Sequence, residues 1–96
     1  MNLFKYSIII TSMQQIDEEN LKSFGELVRQ IRTENSPSLN KLAFSRGGVT
    51  SATLSRIENG LVDFKFSTLL RLAHTLNVSL VDLFKEYQYK DFTDIL

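Results

Sequence analysis

The stretch from Ser38 to Gly60, SLNKLAFSRGGVTSATLSRIENG, constrains the fold more than any other part of the chain. It reads as two short helices joined by a tight glycine turn. Ser38 is placed to cap the first helix, with Leu42 and Ala43 as its apolar pair. Gly47 and Gly48 supply a turn in which positive φ carries no steric penalty. Thr50 is placed to cap the second helix, and Leu54 and Ile57 face inward at an i, i+3 spacing. Gly60 follows the last helical turn, where glycine is the preferred residue. A compact pair of this kind holds one helix out to a partner.

The flanking segments continue the helical pattern. Asp17 is expected to cap a first helix, with Glu18 and Glu19 in the first turn, where the helix dipole favours acids. Ile16 and Leu21 fit a hydrophobic staple across that start. Leu21, Phe24, Leu27, Val28 and Ile31 form one apolar face, opposite Glu26, Arg29, Arg32 and Glu34, and Asn35-Ser36-Pro37 stops the helix. The second helix spans about Leu39 to Arg46 and the third about Ser51 to Asn59. The loop from Leu61 to Lys65 is unusually apolar, with Leu61, Val62 and Phe64. A fourth helix, Phe66 to Leu76, carries an apolar stripe of Phe66, Leu69, Leu70, Leu72, Ala73 and Leu76, and Asn77 suits a left-handed stop. Ser79 and Asp82 cap a short fifth helix with Leu80, Leu83 and Phe84 inward.

Residues 1–16 mix aromatic, charged and β-branched types, and read as a strand or an extended arm. The expected organisation is an arm or tail over 1–16, a helical domain over 17–86 and a tail over 87–96. The fold class is all-α, a compact five-helix domain. The phenylalanines at helical spacing are expected in the core, and His74 on the surface of the fourth helix or half-buried there.

Ninety-six residues, 43% of them hydrophobic, are enough for one modest core without staples. The absence of cysteine excludes disulfides, thiolate nucleophiles and Cys-rich zinc sites. With a single histidine as well, neither a metal nor another cofactor is expected. No segment approaches the ~20 apolar residues of a membrane span, so the expected location is the cytoplasm, away from membranes. No nucleophile–base pair or phosphate-binding loop marks an enzyme. Formal net charge is zero, but it is unevenly spread. From Ser38 to Gly60, Lys41, Arg46 and Arg56 outnumber Glu58, whereas acids outnumber bases from Asp17 to Asn35 and from Asp82 onward. A mildly basic middle between acidic flanks is compatible with nucleic acid on one face.

The ordered series Leu42-Ala43, Gly47-Gly48-Val49-Thr50, Leu54-Ser55-Arg56-Ile57-Glu58-Asn59-Gly60, then Leu69, Leu72-Ala73, Leu76-Asn77-Val78-Ser79 and Leu83-Phe84 resembles the lambda-repressor/Cro-like helix-turn-helix family. Phe24 to Arg32 is similar to that family's first helix. The resemblance covers about residues 21–85 and implies sequence-specific binding of double-stranded DNA by a homodimer that regulates transcription. Three departures stand out. Leu39 occupies the start of the second helix, where the family usually has a phosphate-contacting Gln. The glycine turn is one residue longer. The loop after Gly60 is apolar where the family's is commonly polar or basic.

On this resemblance the third helix lies in the major groove with its N-terminal end towards the bases. Ser51, Ala52, Ser55 and Arg56 are then the base-contacting candidates. Arg56 leads them, because a guanidinium bonds guanine O6 and N7 bidentately. Asn40, Lys41, Arg46, Thr50, Thr53, Asn59 and Lys65 are candidates for phosphate. Glu58 is expected to serve structure, by pairing with Arg32 or Arg29 or by bonding a loop N–H. The dimer surface is expected on the fifth helix, the end of the fourth and the tail around Tyr87, Tyr89 and Phe92. A chain of this length leaves no room for a separate ligand-binding domain, so no small-molecule ligand is expected. Small restriction–modification controller proteins, phage repressors and antitoxins match this description, the first being preferred. The alternative is an antitoxin or other protein-interaction module on the same fold.

Overall fold

The structure, a computed structural model, describes the backbone of residues 3–36 and 38–93 and the side chains from residue 11 on. The described residues form five α-helices and no strand: α1 (Leu3–Asn35), α2 (Leu39–Arg46), α3 (Ser51–Glu58), α4 (Phe66–Leu76) and α5 (Leu80–Lys85). None of these helices is long and apolar enough to cross a membrane.

The caps form where the sequence places them. Ser38 Oγ accepts from the Lys41 amide at 3.2 Å, Thr50 Oγ1 from Thr53 at 3.1 Å and Ser79 Oγ from Asp82 at 3.0 Å. Each occupies one of the orphan donors of a first helical turn. Asn77 ends α4 in the left-handed conformation, with φ 57° and ψ 43°. At the end of α3, Gly60 has φ 67° and the Leu61 amide reaches back to the Arg56 carbonyl.

The first helix departs from expectation. Residues 3–16 are not a strand or an extended arm but continue α1, which runs 33 residues. Asp17 therefore lies inside the helix rather than at its cap. No glycine or proline occurs before Gly25. Extending a helix adds one bond per ordered residue without a second costly nucleus, which outweighs the weak helix propensity of Ile8-Ile9-Ile10.

The core gathers Phe24 and Val28 of α1, Leu42 of α2, Val49 of the turn, Leu54 and Ile57 of α3, Leu72 and Leu76 of α4, and Leu83 of α5. Val62 and Phe64 pack against it, which explains two of the three apolar residues in the 61–65 loop. Leu61 remains exposed. The apolar stripe of α4 is split: Leu72, Ala73 and Leu76 are buried, whereas Phe66 and Leu70 face outward. The phenylalanines likewise divide. Phe24 is core, but Phe44 is 92% exposed and Phe66 70% exposed, because a small domain lacks the interior volume to bury every ring.

Gly25 marks the close approach of α1 to the end of α3. A Cβ there would lie 2.3 Å from the Ile57 carbonyl oxygen and 2.7 Å from that of Glu58. Two residues of the tail also find partners on α1. The Tyr87 hydroxyl donates to the Asn20 carbonyl at 3.0 Å, and its ring meets Phe24 edge-on at 5.4 Å. The Asn20 side chain accepts from the Lys90 amide and donates to its carbonyl, at 2.8 and 2.7 Å. Tyr87, expected at a dimer surface, is thus committed within its own chain.

Candidate nucleic-acid interface

The exposed edge of α3 is set by what its other edge buries. Leu54 and Ile57 are in the core, and Glu58 is buried beside them. Glu58 receives a two-pronged hydrogen bond from Arg32 of α1, Nε to Oε2 at 2.7 Å and Nη2 to Oε1 at 2.9 Å. The hydrogen bond to Glu58 raises the Arg32 pKa; burial acts against this, and the Coulomb attraction to Glu58 adds to it. A buried, bidentate pair of this type fixes the rotation of α3 against α1. The expected structural role of Glu58 is met, and Arg32 is its partner.

A second set of bonds holds the glycine turn. Thr75 of α4 is fully buried. Its hydroxyl donates to the Gly47 carbonyl, and its oxygen accepts from the Val49 amide at 3.0 Å. The Arg46 guanidinium donates to the His74 carbonyl and to Asn77 Oδ1, each at 3.0 Å. His74 Nε2 lies 3.0 Å from the Arg46 carbonyl oxygen. Gly47 and Gly48 have φ of 68° and 92°, and a Cβ on Gly48 would lie 2.4 Å from Thr75 Oγ1. The glycine turn is therefore clasped to the C-terminal end of α4. Sequence reasoning missed Thr75, because a polar residue inside an amphipathic helix leaves no periodic mark.

Fixed in this way, α3 leaves Ala52 and Arg56 exposed and Ser51, Thr53 and Ser55 half-buried. Two shallow grooves flank it. The first is lined by Ser38, Asn40, Lys41, Phe44, Thr50 and Ser51, bringing the starts of α2 and α3 together. The second is lined by Thr53, Arg56, Val62, Asp63, Phe64, Lys65, Ser67, Thr68 and Arg71, between α3 and the start of α4. Of these, Ser38, Phe44, Val62, Asp63, Phe64, Ser67, Thr68 and Arg71 were absent from the sequence-based set. Exposed hydroxyls at a helix start and a free Arg two turns into α4 were the available signals for three of them.

Two expected residues are placed differently. Arg46 is engaged with α4, and the Asn59 side chain donates to the Ser55 carbonyl at 2.8 Å, within its own helix end. Thr50 Oγ1 caps α3 and bonds Thr53 Oγ1. Among the described residues, Lys41 in the first groove and Lys65 in the second have side-chain amines that no hydrogen bond or ion pair engages.

Residues 25–88 match the family model described as a helix-turn-helix domain. The chain belongs to the helix-turn-helix family. Its two signature helices are α2 and α3, joined by the clasped glycine turn. A curated relative, the HTH-type transcriptional repressor RghR of Bacillus subtilis (strain 168), is 41% identical over 59 residues. That alignment covers 60% of this chain and 43% of the relative, so the chain spans less than half the length of RghR. No solved structure gives a significant match.

Proposed function

We propose that this helix-turn-helix protein is a sequence-specific DNA-binding transcriptional regulator that acts as a homodimer on a near-palindromic operator. The observation that carries the reading is the outer edge of α3. Ser51, Ala52, Ser55 and Arg56 stand there between Lys41 and Lys65 in the two flanking grooves. Small residues near the helix start let α3 enter the major groove closely, and Arg56 supplies a bidentate guanine reader. Lys41, Asn40, Lys65, Ser67 and Thr68 are placed to neutralise or bond phosphates on either side. The family match and the repressor name of the RghR relative support the same reading.

The dimer would bring two α3 helices about 34 Å apart, one turn of duplex. Phe66 and Leu70 of α4 and Val81 of α5 are exposed apolar side chains suited to that contact. The experiment is selection of bound sequences from a random duplex library, followed by a salt titration on the winner. Each neutralised phosphate should add about 0.9 to the slope of log K against log salt. A flat salt response, or no enriched sequence, overturns the reading. A protein-interaction module is the second reading, favoured by the exposed Phe44 and Leu61 beside the α2–α3 unit.

A further inference from the structure

On the side of the molecule where α1 meets α5, the aromatic residues do not close completely. A cavity of about 280 Å³ remains, walled by Phe24, Phe64, Phe84 and Tyr87. Phe24 sits at the centre of this wall. Its ring centroid is 5.4 Å from those of Phe64 and Tyr87 and 6.3 Å from that of Phe84. Two carboxylates, Asp17 of α1 and Asp63 of the 61–65 loop, stand on the lining. Both are exposed, and neither forms an ion pair or hydrogen bond among the described residues. The volume lies just below the roughly 300–1,000 Å³ typical of small-molecule sites, which suits a small ligand.

We propose that this cavity binds a small organic cation, an amine carried on an aromatic or branched-alkyl body. The apolar body fits the aromatic walls. The ammonium group meets two carboxylates without a partner among the described residues, and an aromatic lining adds attraction for a cation over a neutral group of the same shape. An anion would be repelled by both carboxylates. A neutral apolar ligand would gain nothing from either. The cavity shares Asp63 and Phe64 with the second groove beside α3, where Arg56, Lys65 and Arg71 also stand, so an occupied cavity adjoins that groove.

The test uses the full chain and three probes of one shape: phenethylammonium, 2-phenylethanol and 3-phenylpropionate. Binding is followed by amide and aromatic chemical-shift changes on titration, without DNA. Phenethylammonium should shift signals of Phe24, Phe64 and Tyr87 saturably, and bind about tenfold or more tighter than the alcohol. Asp17→Asn with Asp63→Asn, both at exposed positions, should remove that preference and leave the alcohol's weak binding unchanged. Equal binding of the amine and the alcohol overturns the proposal. So does failure of the amine to shift the cavity signals. Shifts of the same signals on raising protein concentration alone, unaffected by the amine, would also overturn it, because a second copy would then fill the cavity.

Discussion

Replacing Thr75 by Val tests whether the glycine turn depends on its clasp to α4. The two side chains have nearly the same shape, so the packing of this fully buried position is retained while the hydroxyl is lost. The Gly47 carbonyl loses a donor and the Val49 amide loses its acceptor. A net hydrogen bond contributes about 0.5–1.5 kcal/mol, and leaving a buried donor unmade costs about 1–3 kcal/mol. Val49 is itself buried, so its amide has little water to turn to. The expected loss is about 2–3 kcal/mol. For a 96-residue domain the whole stability is about 5–14 kcal/mol, so this is a large fraction of it. Thermal unfolding followed by circular dichroism should show Tm lowered by about 8–24 °C, at roughly 4–8 °C per kcal/mol. Native-state hydrogen exchange should show the Val49 amide losing protection beyond the global change. Thr75→Ser keeps the hydroxyl and should preserve that protection. A Val variant within 0.5 kcal/mol of the parent, with Val49 still protected, would refute the clasp.

Glu58→Ala leaves the Arg32 guanidinium buried without its carboxylate, and should destabilise the domain by about 3–5 kcal/mol in urea unfolding. Gly25→Ala gains about 1 kcal/mol of helix propensity but drives a methyl into the Ile57 carbonyl. The net result should be destabilisation by about 1–3 kcal/mol, the range for overpacked sites, read from the same urea curves. Arg56→Ala should weaken binding to a selected operator by about 1–3 kcal/mol and relax the preference at one base pair, as measured by competition between single-base variants. Lys65→Ala should weaken all duplexes alike and lower the salt slope by about 1.

The bounds of α2 and α4 and the start of α5 were readable from the chain, because each begins at a capping or extended residue and α2 and α4 end at a glycine and an asparagine. The α3 end differs by one residue, with Asn59 acting as the cap itself. These are local signals, and local energetics decide them. The helical course of residues 3–16 was not readable, since the β-branched run favours a strand in isolation and only its attachment to a preformed helix tips the balance. Exposure of Phe44 and Phe66 was hidden for a different reason. Periodicity reports which face a residue lies on, but not whether the neighbouring elements reach far enough to cover it.

The interface candidates show the same division, with a consequence for the reading of the turn. Ser51, Ala52, Ser55 and Arg56 stand on one edge of α3 because Leu54, Ile57 and Glu58 take the other, which spacing alone implies. Arg46 and Asn59 look equally available in the sequence, yet both spend their donors on carbonyl groups within the protein. Arg46 does so beside a turn that carries two glycines at positive φ. Two glycines give a turn backbone freedom that would loosen the angle between the two helices. Thr75, Arg46 and His74 remove that freedom by tying residues 46–49 to the end of α4. The presentation of α3 then depends on two fixed points, the Arg32–Glu58 pair to α1 and the Thr75 clasp to α4. Because these lie on different helices, loss of either one should tilt α3 about the other rather than release it. Thr75→Val and Glu58→Ala should therefore weaken binding of a selected operator beyond what their unfolded fractions account for, in a titration corrected for stability. Binding that tracks the folded fraction alone would mean that α3 is held by core packing, with neither polar contact setting its angle.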